Sequence, residues 1–325
     1  MDIWKTRVTE MLGIEYPIIQ GSFGGFGTSA LGAVVSEAGA LGMITSNAFK
    51  TPEKLREDIH RLKSKTDKPF AVNLTMSVGN LDEMVDVIID EGVPVVETSA
   101  YRADVYGKRL QEAGVKWIHK VATIKHALSA EAQGVDAVVI IGLEGTGFKS
   151  PMQLPSLIGI PWALRQIKIP IIVGGGIGDS HGFVAALAMG AEAVYMGTAF
   201  LTTKECPIPD RYKQILVEGS PSDPMFRDRI LGPKNPKKYN EVMEKRGSIP
   251  DDEWLIELEA AMSGEPIEGG GLRLVVEGGD IEAILDFAPA SLAIGVIDKV
   301  VTVKELIDSI ITGAEAIRRR WSIEP

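Results

Sequence analysis

Cysteine is nearly absent: Cys206 stands alone in 325 residues, and no C-x-x-C pair or Cys/His cluster has metal-ligand spacing. A disulfide-stapled secreted scaffold and a zinc module are both excluded, no metal is expected, and the cytoplasm is the expected compartment. Long apolar runs are missing too. None approaches the roughly 18 residues of a membrane helix, and the opening Met-Asp-Ile-Trp-Lys-Thr-Arg has no apolar core of a leader peptide. Positive charge is in deficit, with 34 Lys plus Arg against 44 Asp plus Glu and a net charge of −10. Such a balance repels phosphate backbones and anionic membranes, so a small molecule is the expected partner rather than nucleic acid or a membrane. Any anion site would have to be built from backbone N–H groups and helix N-termini instead of a basic field.

What is present is an ordinary globular composition, 45% hydrophobic and 24% charged, with 35 glycines. Eight short apolar runs bounded by turn signals read as strands: Pro17 to Gln20, Leu41 to Thr45, Phe70 to Thr75, Pro94 to Thr98, Val115 to Lys120, Ala137 to Gly142, Ile169 to Val173 and Ala193 to Gly197. Between them apolar residues fall at helical spacing, as in Ser29 to Ala38, Thr51 to Lys63, Leu81 to Glu91, Ala103 to Ala113, Ile124 to Gln133 and His181 to Met189. Eight βα units in sequence fit an α/β fold of the (β/α)8 TIM-barrel type better than an open doubly wound sheet. The barrel is expected over residues 1–205. Residues 206–280 read as a lid or insertion, with several prolines, the basic run Pro233 to Lys238 and an acidic helix around Asp251 to Met262. Glycine dominates from Gly269 to Gly279. Residues 281–325 read as a C-terminal helical segment packing back on the barrel, ending in Val303 to Arg320.

The most informative segment is Ile171-Ile-Val-Gly-Gly-Gly-Ile-Gly-Asp-Ser-His-Gly, a buried strand that ends in glycines and leads into a helix. Glycine lets backbone approach an anion, and Gly197 with Thr198 stands at the matching place one unit later. In barrels the loops after strands seven and eight commonly make the phosphate site. Two alternatives compete: tight βα turns, and a Rossmann fingerprint from Gly176, Gly178 and Gly182, which the mid-chain position disfavours. Asn73 and Thr75 share one face at the C-terminal end of the third run, where barrel active sites form. At the end of the fifth run either His119 or Lys120 points inward, and a cation there could hold an anionic ring. Two glycine-rich loops, Gln20 to Thr28 and Gly142 to Ser150, could approach a flat ligand; the second carries Glu144, Thr146, Phe148 and Lys149. His60 and His126 lie in helical patterns and read as solvated or structural, while His181 beside the glycine loop could donate to a phosphate. There is no Gly-x-Ser-x-Gly elbow and no His-Glu-x-x-His.

From Thr6-Arg-Val-Thr-Glu-Met-Leu-Gly-Ile-Glu-Tyr-Pro-Ile-Ile-Gln-Gly to Met196-Gly-Thr-Ala-Phe-Leu-Thr-Thr-Lys-Glu-Cys-Pro the chain resembles the FMN-dependent nitronate monooxygenases, formerly 2-nitropropane dioxygenases. Flavin enoyl-acyl-carrier-protein reductases and NADH:quinone reductases are related to them. The resemblance implies an FMN-binding barrel and an oxidoreductase that is a monooxygenase or, as the alternative, an NAD(P)H-dependent reductase of an enoyl thioester or quinone. NADH or NADPH is then the candidate electron donor, and a homodimer the implied assembly. Gly21, Ser22 and Phe23 match the first-loop contact with the flavin ring, although methionine is usual where Phe23 stands. Asn73 and Thr75 match residues that hydrogen-bond the flavin, Lys120 its lysine contact and a catalytic residue, and Gly175, Gly176, Gly197 and Thr198 the phosphate cradle.

The departures matter as much. The family's usual Glu-Ala-Gly-Gly-His loop reads Glu144-Gly-Thr-Gly-Phe148, so Phe148 stands in the substrate pocket in place of the histidine. A phenyl ring cannot exchange a proton, and the lost base is worth about 10²- to 10⁴-fold on a neutral nitroalkane. Pro289-Ala-Ser-Leu-Ala-Ile-Gly and Ala199 replace more polar family residues. Rival readings are a flavin-binding protein without turnover and a flavin-free barrel acting on a phosphorylated metabolite.

Overall fold

The computed structural model describes residues 4–23, 25–49, 51–75, 81–99, 104–147, 150–233, 235–263 and 290–321. Phe148, Lys149, the glycine stretch Gly269 to Gly279 and the expected boundary at 280/281 lie outside them. All eight expected strands form: β1 Ile18–Gln20, β2 Gly42–Thr45, β3 Phe70–Thr75, β4 Val95–Ser99, β5 Lys116–Val121, β6 Ala137–Ile141, β7 Ile171–Gly174 and β8 Ala193–Met196. They pair in parallel in the order β1-β8-β7-β6-β5-β4-β3-β2. The seam closes where Gln20 N donates to Leu41 O (2.9 Å) and Leu41 N to Ile18 O (2.9 Å). Here the side chain of Gln20 extends the ladder, its Nε2 donating to Met43 O (3.0 Å) and its Oε1 accepting from Met43 N (3.2 Å). The fold is therefore a (β/α)8 TIM barrel.

Helices follow the strands in turn: α1 Arg7–Leu12 precedes β1, then come α2 Ser29–Glu37, α3 Pro52–Lys63, α4 Leu81–Asp90, α5 Asp104–Glu112, α6 Ile124–Gln133, α7 Ser156–Ala163 and α8 Ser180–Ala188. Side-chain caps start α3, α6 and α8 among them: Thr51 accepts from Lys54 N, Thr123 from His126 N and Asp179 from Gly182 N. Inside the barrel Ile19, Leu41, Ala71, Val95, Ala137 and Ala193 form an apolar layer that Val8, Leu12 and Ile14 seal from the N-terminal end. Arg7 holds that plug in place by its contacts to the Glu192 carboxylate ahead of β8, and Thr6 Oγ1 donates to Glu192 O (2.8 Å).

After β8 the chain runs through α9 Thr198–Leu201, α10 Asp210–Glu218, α11 Pro224–Leu231, α12 Pro236–Glu244 and α13 Asp251–Ser263. The prolines of this stretch start helices instead of breaking them: Pro224 and Pro236 occupy first-turn positions, where the missing N–H has no intrahelical partner to lose. The last helix, α14 Val303–Trp321, buries Ile307, Ile310 and Ala314 and packs on α8 and α2. Among the described residues no helix is long and apolar enough to cross a membrane.

Candidate active site

Register assembles the site. Asn73 pairs with Glu97 and Thr75 with Ser99, which in turn pairs with Lys120, so three adjacent strands put polar residues level with one another. Strand periodicity turns Asn73, Thr75, Glu97, Ser99 and Lys120 into the barrel at its C-terminal end. Lys120, not His119, is the inward residue. His119 faces outward, buried, with Nδ1 2.7 Å from Thr98 Oγ1, and burial pushes its pKa down to about 4. Tyr195 of β8 completes the ring across the barrel.

These side chains form one network. Asn73 Nδ2 donates to Glu97 Oε2 (2.8 Å) and Ser99 Oγ (3.1 Å), while its Oδ1 accepts from Thr75 Oγ1 (3.1 Å). Tyr195 Oη lies 3.0 Å from Glu97 Oε2 and 2.9 Å from Ser22 Oγ, and accepts from Ser22 N (2.6 Å). Lys120 Nζ donates to Ser22 Oγ (2.6 Å) and sits 3.7 Å from Glu97 Oε1. Lys120 is the more open member at 19% exposure, while Glu97 is buried at 1%. Burial pushes the Glu97 carboxyl above the usual carboxylate range, although Lys120 and the hydrogen bonds from Asn73 and Tyr195 pull the other way. Burial and then the Glu97 charge raise the Tyr195 phenol.

The glycine turns lie beside this network. The loops after β6 and β7 touch through backbone: Gly142 N donates to Gly174 O (2.8 Å), and a Cβ on Gly175 would come within 3.0 Å of Gly145 N. Gly175 (φ 104°) and Gly176 (φ 71°) are both left-handed, a pairing that only glycine adopts readily. Among the described residues no backbone carbonyl takes the N–H of either one. Gly21 approaches β8 so closely that a Cβ would lie 3.1 Å from Gly197 Cα, and Phe23, itself buried, flanks Gly197. The Thr198 hydroxyl is occupied: it accepts from Ser291 N (2.9 Å) and lies 2.8 Å from Ser291 Oγ, latching the segment before α14 to the mouth.

Other expected contributors are engaged with their own neighbours, although Glu144 lies beside the turn, its Cβ 3.0 Å from where a Cβ on Gly176 would stand. The Asp179 carboxylate already caps α8, and His181, 72% exposed, lies 3.2 Å from it, so α8 offers an anion a capped turn. Glu144 is a helix cap, accepting from Ser156 N (3.0 Å) and Ser156 Oγ (3.1 Å). His60 lies at the surface beside Glu91 (2.8 Å). Glu97, Ser99 and Tyr195 escaped the sequence reading. The signal was there in Val95-Val96-Glu97-Thr98-Ser99, where an acid alternates with an inward valine.

A family model described as nitronate monooxygenase matches residues 5–84 and 75–313. The chain belongs to the nitronate monooxygenase family. With it comes the coarse assignment, an enzyme of the oxidoreductase class. FabK from Thermotoga maritima has 34% identity and a TM-score of 0.79, over 97% of this chain and 98% of that one. A Mycobacterium tuberculosis protein named "(3aS,4S,5R,7aS)-5-hydroxy-7a-methyl-1-oxo-octahydro-1H-indene-4-carboxyl-CoA dehydrogenase" is 34% identical over 74% of this chain and 68% of its own length. A "Probable nitronate monooxygenase" of Staphylococcus saprophyticus is 31% identical over 76% of this chain and 82% of its own. The two curated relatives are named for different substrates, a carboxyl-CoA in one and a nitronate in the other.

Proposed function

We propose that this chain is an FMN-dependent oxidoreductase acting on an acyl thioester, with NADH or NADPH as electron donor. The observation that carries the reading is the convergence, at one barrel mouth, of the Lys120 cation with left-handed glycines whose N–H groups no backbone carbonyl of the described residues takes. FMN asks for both: backbone donors for a phosphate, and a cation for a flat ring that gains negative charge when reduced. Glycine is needed for these turns to meet, since a Cβ at Gly21 would lie 3.1 Å from Gly197 Cα and one at Gly175 3.0 Å from Gly145 N. When bound, FMN supplies the hydride or single-electron chemistry that no side chain provides.

The chain's own residues hold and orient. Gly175, Gly176, Gly197 and Thr198 offer backbone N–H groups to the phosphate; Gly21, Ser22 and Phe23 line the ring edge. Thr75 and Ser22 supply hydroxyls, Lys120 supplies charge, and Asn73 acts through Thr75, its amide being engaged with Glu97 and Ser99. The thioester reading is supported by the name of the Mycobacterium tuberculosis relative and by Phe148, which cannot take a proton from a neutral nitroalkane. A second reading, oxidation of an already ionised nitronate, is favoured by the family itself and needs no base.

The test is an anaerobic titration of FMN-saturated protein with NADH and then NADPH, following the visible flavin band, and then with enoyl-CoA. Bleaching by a nicotinamide and recovery on adding enoyl-CoA is the expected result. Bleaching only by propyl-2-nitronate would overturn the thioester reading in favour of the second.

A further inference from the structure

We propose that Glu97 is a positioning residue of this site that works as a neutral carboxylic acid: one oxygen fixes Asn73 and Tyr195, and the Lys120 ammonium keeps its charge for an anionic ligand at the barrel mouth. The inference rests on the reading of the mouth as a flavin site and adds a residue to it. Its first support is the geometry of the pair. An ionised carboxylate and an ammonium sharing a buried site close to a charge-assisted hydrogen bond of about 2.7–2.9 Å. Lys120 Nζ instead stays 3.7 Å from Glu97 Oε1 and donates to Ser22 Oγ at 2.6 Å. Glu97 Oε1 is buried and finds no hydrogen-bond partner among the described residues. With the ammonium 3.7 Å away and no hydrogen bond, a charged Oε1 is poorly compensated in the interior, and a proton on the carboxyl group lowers that cost.

Donor and acceptor capacities then fall into one order. An ionised Glu97 accepts from Tyr195 Oη across the 3.0 Å contact; with the proton on Oε2 that contact reverses and Glu97 donates, Tyr195 donates to Ser22 Oγ, and Lys120 donates to Ser22 Oγ with Tyr195 Oη farther off at 3.4 Å. Asn73 Nδ2 donates to the same Oε2, and Ser22 N to Tyr195 Oη. The Ser22 hydroxyl proton is left over for the mouth. Among the described residues the titratable groups facing Glu97 are Lys120 from β5 and Tyr195 from β8; β3 presents only the Asn73 amide and the Thr75 hydroxyl. Burial outweighs the attraction of Lys120, in agreement with the geometry.

Infrared spectroscopy of the whole protein, wild type against Glu97→Gln, decides the charge state without flavin. A buried carboxylic-acid carbonyl band at pH 7, present in wild type and absent in Glu97→Gln, is expected; its absence from wild type overturns the proposal. FMN titrations give the second readout. Glu97→Gln, which keeps a neutral planar group, should bind FMN within about threefold of wild type, while Glu97→Ala, freeing Asn73 and Tyr195, should lose about tenfold or more. Equal losses in both variants would mean that the ionised form is needed and would overturn the proposal. If wild type binds no FMN, the flavin reading falls, and the infrared band still supports or overturns the neutral acid. If Glu97→Ala does not fold, Glu97→Gln and the band carry the test.

Discussion

The two ends of this barrel are made by the same strands and do opposite work. At the N-terminal end Ala71, Val95, Ile118 and Ala193 meet Val8 and Leu12 in an apolar seal. One step farther along the same face Ala71 is followed by Asn73, Val95 by Glu97, Ile118 by Lys120 and Ala193 by Tyr195, and the layer becomes a hydrogen-bonded network. Because the side-chain period is two, a two-residue step along a strand keeps the face and changes the chemistry. The seal supplies stability, and the mouth spends some of it on buried polar groups.

Four substitutions test that division. The largest effect is expected from Phe148→His, which puts a base where the resemblance expects one: kcat/KM for neutral nitroalkanes should rise about 10²- to 10⁴-fold, and an unchanged value contradicts the reading that Phe148 stands in place of a base. Lys120→Met should lower turnover about 10²- to 10³-fold, as removal of one charge-stabilising donor does, with little change in melting temperature. A matching fall in both would make Lys120 structural. At the other end Leu12→Ala should cost about 2–5 kcal/mol in urea unfolding and leave FMN affinity alone; a fall in affinity would couple the two ends.

The smallest effect belongs to the outer face of β5. His119 is buried neutral with its pKa pushed down to about 4, against about 6.5 when unfolded. Between those values the unfolded chain binds the extra proton, so stability rises with pH and is lost as pH falls from about 6.5 toward 4. His119→Gln should flatten that loss by on the order of 2 kcal/mol, read from unfolding curves at pH 4.5 and 7. An unchanged slope would place the acid sensitivity elsewhere.

The strands were legible because buried β-branched runs stand between turn signals, Ala137–Ile141 between Gly134 and Gly142 and Ile171–Gly174 between Pro170 and Gly175. α7 was not legible: Ser-Leu-Ile-Gly-Ile-Pro-Trp-Ala is apolar on every side and carries Pro161, so no helical period appears, and Leu157, Ile158 and Trp162 stay exposed. After β8 the acidic helix expected around Asp251 to Met262 forms as α13, while α11 and α12 were hidden behind the prolines that begin them. At the site, Lys120 and the glycine cradle stood out by residue type and position. Glu97 and Tyr195 did not, because each sits inside a strand read as core, and only the register places them beside Asn73 and Ser22. Phe148 and residues 264–289 lie outside the described structure and rest on sequence alone.

The central claim is that this acidic chain binds FMN through backbone at the barrel mouth, with the phosphate as a principal handle. Side-by-side equilibrium titrations of the apoprotein with FMN and riboflavin, followed by quenching of flavin fluorescence, test it most directly. The account predicts that FMN binds about 100-fold or more tighter than riboflavin, and that the preference falls in Gly175→Ala, whose Cβ would press on Gly145 N and Gly142 O and shift the left-handed turn. Equal affinity for the two flavins, or no binding of either, would contradict it.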